Sequence, residues 1–537
     1  MKRLWITALL ALALPILSGC EQAQEEDSQP FTLQVALVGE DLSLDPISAT
    51  DIASQTLLYN LYDNLMTQTV NADGQVEISN ALAKSVEETA NTDATTTYTF
   101  TLRRAYWSDG ELVTAQDFEY AWKRLVSPEA NTPYSALLSM VAGYEDVLET
   151  GNPDYLQVTA LDDDVLEVVV TGETDWFLQE VCTAIATLPQ RQDVVEAENN
   201  QTLVTCGAYT LSDMDDDTIT LTAFESHYGT AATADEIQVL LAPDATTAWD
   251  WYESQTVSFV WPVSDDIYTQ LLEEEISYAV ADLLDIRYVA INNQDEILQD
   301  SLVREALSNA VDFSAVATVA GITAQVAQGI VPEGIAEVGQ DSFRQAYTAM
   351  DTDSDTYAKR QTAAQLALAQ STYPWDNEAY TLELFYTNQG DNKAIATALC
   401  QQWSSVLGLT VTPVAMDAQT LAQAMSEGSY QLALTSLSPQ VNDPEPYLSP
   451  WLSTSPLNVI GYENSAYDTL VTIAATASET SGRMGCLHDA EELLLEDFAL
   501  IPLYSTQTGW LLSEDMTGIT RDARGWFGFA TIAQRNP

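Results

Sequence analysis

Histidine, basic residues and cysteine are scarce in this 537-residue chain, and each scarcity argues against a class of function. The two histidines, His227 and His488, leave little scope for histidine-based acid–base catalysis, and no His-Glu-x-x-His motif occurs. No Cys-x-x-Cys pair is present, which disfavours a zinc site. Gly-x-Ser-x-Gly, Walker A and dinucleotide-binding motifs are also missing. The sequence therefore predicts neither a metal nor a cofactor.

The chain has 18 lysines and arginines against 80 aspartates and glutamates, which gives a formal net charge of −62. Nucleic acid is therefore a poor partner, because phosphate binding needs clustered basic side chains. The acidic residues are spread along the whole length, so we interpret them as a general surface adaptation rather than as a cation-binding site. A hydrophobic fraction of 46% argues against a disordered chain.

Long hydrophobic runs are missing except near the N-terminus. Lys2 and Arg3 precede an apolar stretch at 4–17, which has the length of a signal-peptide core and is short for a membrane span. The motif Leu17-Ser18-Gly19-Cys20 is typical of a lipobox. An ordinary signal peptide with a cysteine near its cleavage site is the alternative.

We accordingly expect residues 1–20 to be a lipoprotein signal peptide and Cys20 to be the lipidated first residue of the mature chain. Residues 21–30 are polar and acidic, which is typical of a flexible tether. The predicted location is the outer face of the cytoplasmic membrane, with the protein held there by lipid chains.

A strand, a turn and a helix are predicted in succession between Tyr98 and Leu125. Aromatic and aliphatic residues alternate with threonines over 98–102, which indicates a half-buried strand. Ser108-Asp109-Gly110 supplies a tight turn, and Thr114 and Asp117 have the spacing of a capping box. The following apolar stripe of an amphipathic helix consists of Phe118, Ala121, Trp122 and Leu125.

Other segments can be assigned by the same periodicity. Residues 31–38 are predicted to form the first strand and residues 56–66 a helix. Farther along, a strand at 381–386, a helix at 392–407 and a strand at 409–414 favour a parallel arrangement.

The ordered run from Tyr98 to Leu125 closely resembles the signature of the extracytoplasmic solute-binding proteins of family 5, which serve oligopeptide importers. Val303–Asp312 is similar to the helix that opens the second lobe in that family. Leu500–Tyr504 resembles the segment in which the chain returns to the first lobe. The resemblance covers nearly all of the predicted mature sequence.

The resemblance implies an α/β fold of the periplasmic-binding-protein type II class, with two lobes, a hinged cleft and an extra subdomain on the first lobe. The expected division of the chain is lobe I at 31–56, 172–282 and 500–537, the extra subdomain at 57–171, and lobe II at 283–499.

The function implied is capture of oligopeptides by a monomeric, non-catalytic receptor that delivers them to the permease and ATPase subunits of an ABC transporter. The residues that the resemblance assigns to ligand binding are Ile52, Ala53, Ser54, Tyr134, Trp261, Leu437, Ser438, Gln440 and Asp443. A receptor for another solute, such as an oligosaccharide, is the first alternative. A surface hydrolase and a non-transporting adhesin or signalling receptor are others.

One position departs from the family pattern. Peptide receptors carry an acidic residue on the ligand strand, which here is Leu434–Asp443, and this residue holds the terminal amine of the peptide. The aligned residue is Gln440, so either Asp443 takes over the amine or the cargo differs. Asp443 precedes Pro444 and could instead stabilise a turn. Tyr134 and Trp261 could equally be core aromatics.

The resemblance also bears on the four cysteines that follow Cys20. Cys182 and Cys206 fall in one expected lobe, so they are the preferred disulfide pair in an oxidising exterior. The alternative is that these two, Cys400 and Cys486 are all buried thiols.

Overall fold

A computed structural model describes most of the chain after the predicted signal and tether. The residues described are 30–39, 42–70, 76–91, 95–130, 132, 134–171, 177–197, 203–215, 217–273, 276, 278–335, 342–374, 381–439, 442–475, 477, 480–522 and 524–535. Within these ranges, every helix is too short or too polar to cross a membrane.

Twenty-one strands occur within the described residues. They are β1 Thr32–Val38, β2 Met66–Val70, β3 Val76–Asn80, β4 Ala83–Ala90, β5 Thr95–Leu102, β6 Val158–Asp162, β7 Val165–Thr171, β8 Tyr209–Met214, β9 Thr218–Ala223, β10 Glu236–Ala242, β11 Phe259–Val263, β12 Ala279–Ile291, β13 Ala324–Val326, β14 Leu382–Thr387, β15 Val411–Met416, β16 Leu432–Leu437, β17 Leu500–Leu512, β18 Met516–Thr517, β19 Thr520–Arg521, β20 Phe527–Gly528 and β21 Ala533–Gln534.

Fifteen α-helices occur in the same part of the chain. They are α1 Ile52–Leu61, α2 Ala115–Val126, α3 Tyr144–Thr150, α4 Gln192–Val195, α5 Ala245–Glu253, α6 Asp265–Glu273, α7 Ser301–Asn309, α8 Phe313–Ala320, α9 Phe343–Ala346, α10 Tyr357–Gln370, α11 Asn392–Leu407, α12 Ala418–Ser426, α13 Glu445–Leu448, α14 Ser465–Ala474 and α15 Thr480–Glu496. Short 3₁₀ turns and a single π-helical turn at Phe177–Val181 complete the helical structure.

One eleven-stranded sheet extends through both lobes in the described part of the chain. Its order is β15-β14-β16-β12-β17-β11-β1-β10-β9-β8, and β13 pairs with β17 outside this path. The half that contains β11, β1, β10, β9 and β8 belongs to lobe I, and the half that contains β16, β14 and β15 belongs to lobe II. The two-lobed α/β fold expected from the sequence is thus confirmed.

The lobes are joined by β12 and β17, two antiparallel strands of 13 residues each. Along β17, Leu511 and Leu512 pair with β11 in lobe I. The C-terminal part of β12, Ile286–Ile291, pairs with β16 in lobe II. The pairing of β12 with β17 shifts register between Asp282 and Ile286. Such an irregularity bends a strand pair and increases its twist, and here it lies where the crossing strands pass between the two lobes.

The extra subdomain is built on a second sheet of order β4-β5-β7-β6, which α2 covers. Tyr98, Phe100 and Leu102 are buried on one face of β5, as the alternation predicts. Gly110 lies in the turn at φ +92°, and Thr114 and Asp117 form the predicted capping box at the start of α2.

Lobe II contains the predicted strand–helix–strand unit. The parallel pairing of β14 with β15 and the bounds of α11 agree with the sequence analysis, and Gly408 ends the helix at φ +71°. The helix predicted at 56–66 is placed wrongly, because α1 begins at Ile52. Asp51 caps it, with Oδ1 accepting a hydrogen bond from the Ser54 amide at 2.8 Å.

Apolar packing covers both faces of the sheet in lobe II. Val289 and Ile291 of β12 contribute to one buried cluster, whereas Tyr288 and Ala290 contribute to another. Successive side chains of a strand point to opposite faces, so this division follows directly from the sequence. In lobe I, one continuous core joins the main sheet to the sheet of the extra subdomain.

The predicted Cys182–Cys206 disulfide is wrong for this structure, because both residues are free thiols. The backbone of one cysteine is hydrogen-bonded to the last residue of α1, and the backbone of the other to the first residue of β2. The Met66 amide donates to the Cys182 carbonyl oxygen, and the Cys206 amide donates to the Leu61 carbonyl oxygen. Burial raises the pKa of both thiols well above the ordinary value. Cys400 and Cys486 are free as well.

Close packing of lobe I onto the end of α1 can be tested at Gly207. A Cβ atom there would lie 2.6 Å from the backbone of both Leu61 and Tyr62, so Gly207→Ala should lower the free energy of unfolding by about 1–3 kcal/mol. The matched control is Gly485→Ala in α15, where the new methyl group meets no atom within 4 Å. This control should be neutral or stabilising by about 0.5–1 kcal/mol. Denaturant titration measures both, and equal effects would contradict the predicted clash.

Candidate functional site

The residues assigned to ligand binding come from both lobes, and three of them, Ile52, Trp261 and Ser438, lie near the crossing strands. Gly525, in the C-terminal segment of lobe I, shows this convergence. A Cβ atom on Gly525 would lie 3.6 Å from Ile52 at the start of α1 and 3.6 Å from Leu283 in β12. The first turn of α1, the C-terminal segment and a crossing strand therefore meet at one point.

The first turn of α1 presents little side-chain surface. Ala53 and Ser54 are buried, and Ile52 is half-buried. The Ser54 hydroxyl accepts a hydrogen bond from the Ser43 amide at 2.8 Å, so it holds the preceding loop in place. Of the three residues expected here, Ile52 has the most accessible side chain.

Tyr134 lies in lobe I and is held by polar contacts rather than by apolar packing alone. Its hydroxyl donates to the Ala49 carbonyl oxygen at 2.9 Å and accepts from Gln55 Nε2 at 3.3 Å. Gln55 Oε1 accepts from Trp526 Nε1 at 2.8 Å. Burial raises the pKa of Tyr134, so the neutral hydroxyl is favoured. These bonds hold the ring in a fixed position, and Tyr134 remains half-buried.

Trp261 is placed differently from the expectation of a ligand-facing ring. It has no exposed surface, and its indole nitrogen donates to Thr508 Oγ1 at 3.0 Å. Its ring packs edge-on against Phe527 at a centroid distance of 5.2 Å. Trp261 thus attaches β11 to the crossing strand β17, and a direct contact with a ligand would require this packing to open.

Lobe II contributes the segment that follows β16. Leu437 is half-buried, and Ser438 is exposed, with its hydroxyl 3.4 Å from the Leu284 carbonyl oxygen of β12. Gln440 lies outside the described residues. The exposed position of Ser438 next to the crossing strand is compatible with a contact to ligand.

Asp443 is engaged within lobe II by a buried arginine. Arg483 Nη2 lies 2.7 Å from Asp443 Oδ1, and Nη1 lies 2.8 Å from Oδ2, which is a bidentate ion pair. Asp443 Oδ1 also accepts a hydrogen bond from the Glu445 amide at 2.8 Å. The carboxylate therefore stabilises the start of α13, the turn-stabilising alternative raised by the sequence.

The buried carboxyl group of Glu180 connects the two lobes directly. Glu180, in the π-helical turn of lobe I, accepts a hydrogen bond at 3.0 Å from the amide of Asn442 in lobe II. On the lobe I side, Arg524 forms an ion pair with Asp522 at 2.8 Å. The Arg524 guanidinium also lies over the Trp526 ring, 4.3 Å from its centroid.

Sequence reasoning missed several residues of this junction, namely Gln55, Glu180, Arg483, Asp522, Arg524 and Trp526. One feature of the sequence points toward the arginines. With 18 basic residues in the whole chain, each arginine is a candidate for a specific ion pair. Nothing local identifies Glu180 among 80 acidic residues.

Comparison with known proteins gives a consistent result. The family described as "Bacterial extracellular solute-binding proteins, family 5 Middle" matches residues 77–458. The dipeptide-binding protein DppE of Bacillus subtilis is 27% identical over 98% of both chains. The periplasmic oligopeptide-binding protein OppA of Escherichia coli is 27% identical over 92% of this chain and 90% of its own.

Solved structures show the same fold. The unliganded open form of the periplasmic murein tripeptide-binding protein MppA matches with a TM-score of 0.76 at 24% identity, over 94% of this chain and 98% of its own. OppA of Haemophilus influenzae in complex with the peptide RPPGFSPFR matches with a TM-score of 0.72 at 22% identity, over 94% and 99% of the two chains.

The role of Asp443 can be decided by substitution. Asp443→Asn leaves the buried Arg483 without its bidentate carboxylate, so the free energy of unfolding should fall by about 3–5 kcal/mol. The control is Asp489→Asn on the exposed surface of α15, which should stay within about 0.5 kcal/mol of the parent. Unaltered stability of Asp443→Asn, combined with loss of ligand affinity, would instead assign Asp443 to the ligand.

Proposed function

Because the chain belongs to the bacterial extracellular solute-binding proteins of family 5, we propose that it captures oligopeptides outside the cytoplasmic membrane and delivers them to an ABC importer. It is a binding protein and not an enzyme. The proposal adds the nature of the cargo, the transport partner and the lipid anchor to that family role.

The main support for a peptide cargo is the extent of the match to peptide-binding relatives. A dipeptide-binding protein and an oligopeptide-binding protein align with more than nine-tenths of this chain. The hinge architecture suits such a cargo, since two lobes that share crossing strands can close over an extended ligand. Peptides bound as an added strand are held mainly through their backbone, so affinity depends little on side chains.

The proposed cleft has a contribution from each lobe. Tyr134 and Ile52 supply a fixed wall in lobe I. In lobe II, we assign ligand contacts to Leu437 and Ser438, and the resemblance to peptide receptors adds Gln440 to them. Asp443 is held by Arg483, so we assign it a supporting role for this segment.

A peptide mixture distinguishes the proposal from its alternatives. Purified protein incubated with a library of short peptides and with oligosaccharides should retain intact peptides in native mass spectrometry. Retained sugars would favour another solute, and shortened peptides would favour a hydrolase. Tyr134→Phe keeps the ring and removes the hydroxyl, so it should weaken retention less than Tyr134→Ala does.

The lipid anchor is tested separately at Cys20. Labelled palmitate should be incorporated into the wild-type protein, and Cys20→Ser should prevent labelling and release the protein from the membrane fraction. Cys486→Ser is the control, because this cysteine is not part of the lipobox. Labelling that survives Cys20→Ser would contradict the anchor.

Gln440 provides a test of ligand polarity. Gln440→Asp restores an acidic residue at the position that holds the peptide amine in similar receptors. A charge-assisted hydrogen bond contributes about 1.5–3 kcal/mol, so peptides with a free amine should bind roughly 10–100-fold more tightly. N-acetylated peptides should gain nothing, and neither should the variant with the same charge at an exposed site, Gln299→Asp. Calorimetric titration measures each affinity, and an equal gain for both peptide types would contradict the assignment.

A further inference from the structure

Glu180 forms a buried hydrogen bond between residues 262 positions apart in the chain, and this bond links the two lobes. Its Oε2 atom accepts from the amide of Asn442, which ends the segment that follows β16. Glu180 has no exposed surface, and Asn442 is 2% exposed. The carboxyl group therefore supports the very stretch of lobe II that the proposed function assigns to the ligand.

Within the part of the chain that the structure describes, the other carboxylate oxygen of Glu180 is buried and has no hydrogen-bond partner. An ionised carboxylate in such a place loses its hydration without full replacement. Arg524 is the nearby cation of lobe I; its Nε and Nη2 atoms are bonded to Asp522, and its buried Nη1 atom has no hydrogen-bond partner among the described residues. Arg524 thus acts on Glu180 by charge at a distance.

Two of the carboxylates around Glu180 form ion pairs with an arginine, whereas Glu180 does not. In lobe I, Asp522 is paired with Arg524, and in lobe II, Asp443 is paired with Arg483. Glu180 is the third carboxyl group of this cluster, and neither arginine forms a hydrogen bond with it.

These surroundings favour the protonated acid. Burial raises the pKa of Glu180 to about 8, and the negative charges of Asp443 and Asp522 act in the same direction. The positive charge of Arg524 and the hydrogen bond from Asn442 oppose this rise. The buried phenol of Tyr447 in α13 also faces this group, and its own pKa is raised well above the ordinary value, chiefly by burial.

We propose that Glu180 is a positioning residue of the cleft, which holds the lobe II ligand segment against lobe I and takes up a proton when the lobes join there. The inference rests on the proposed function for its effect on peptide binding, but its conformational part can be measured without any peptide. Protonation removes the buried negative charge, which is the largest part of the cost, and Oε2 can still accept the bond from Asn442.

The direction of the pH effect follows from the two environments. When the lobes separate at this contact, Glu180 meets water and its pKa returns toward about 4.3. A group whose pKa is higher in the joined state stabilises that state fully below the lower value and loses this contribution as pH rises through the upper one. Between pH 5 and pH 8, the joined state should therefore weaken by up to tenfold per pH unit.

The first experiment is small-angle scattering of the purified, ligand-free protein at pH 5.5, 7.0 and 8.5. The radius of gyration of the wild type should increase with pH. Glu180→Gln should remain compact throughout, because the amide keeps an oxygen acceptor for Asn442 and cannot ionise. Glu180→Ala lacks the acceptor and should be expanded at every pH. Circular dichroism verifies that each variant is folded.

Glu445→Gln is the matched control. Glu445 is a neighbouring carboxyl group whose pKa burial also raises, but it belongs to lobe II, and its described hydrogen bonds stay in that lobe. This variant should keep the pH dependence of the wild type. A pH-dependent expansion that survives Glu180→Gln, or a wild type whose radius does not change, would overturn the inference.

Peptide affinity supplies the second readout. Calorimetry should show weaker binding by the wild type at pH 8.5 than at pH 5.5, and a flat profile for Glu180→Gln. Affinity that falls on acidification would mean that ionised Glu180 binds a cationic part of the ligand, which also overturns the inference. If no peptide binds while scattering still depends on Glu180, the proposed function fails and the positioning role stands.

Discussion

The fold of both lobes depends on the pairing of β12 with β17, the two strands that the lobes share. Each of β12 and β17 pairs with the other, and through them the sheet passes from lobe I to lobe II without a break. Their register shift is filled by carboxylates. Asp285 accepts from the amide and hydroxyl of Thr506, and Asp282 accepts from the side chain of Gln507. These bonds satisfy groups that the interrupted ladder leaves without partners, so the crossing can bend and stay ordered.

The scarcity of basic residues has a structural consequence. Several arginines are used in buried ion pairs, including Arg344 with Glu491, Arg483 with Asp443 and Arg524 with Asp522. Each pair fixes a loop or chain end beside a helix or strand, as when Glu491 also accepts from the Val331 amide. The surface is left with a large excess of carboxylates, whose fields are screened by salt, whereas the buried pairs are screened much less.

The two lobes contribute to the cleft in different ways. In lobe I, hydrogen bonds from Trp526 to Gln55 and from Gln55 to Tyr134 fix the ring of Tyr134 before any ligand arrives. In lobe II, Asn442 and Asp443 anchor the chain just before α13, through Glu180 and Arg483 respectively. Groups that are held in place before a ligand arrives limit the ordering cost of binding, which is the advantage of preorganisation.

Much of the local structure could be predicted from neighbouring residues. The capping box of Thr114 and Asp117, the turn at Gly110 and the helix ended by Gly408 all follow from contacts within a few positions. The order of such elements was enough to indicate the family and the two-lobed fold. Predictions failed or fell short where a distant partner decides, as for Trp261, whose ring packs against Phe527 and has no exposed surface.

The sequence by itself determined the periodicity of strands and helices, their caps and the overall class, because these depend on backbone geometry and on residues close in the chain. Only the tertiary structure decided that Cys182 and Cys206 are free thiols, that Arg483 forms an ion pair with Asp443, and that Glu180 accepts a hydrogen bond from Asn442. These outcomes depend on which surfaces pack together across tens or hundreds of residues. Local sequence patterns do not reveal which surfaces pack together, because a buried glutamate and an exposed one cannot be distinguished in the sequence.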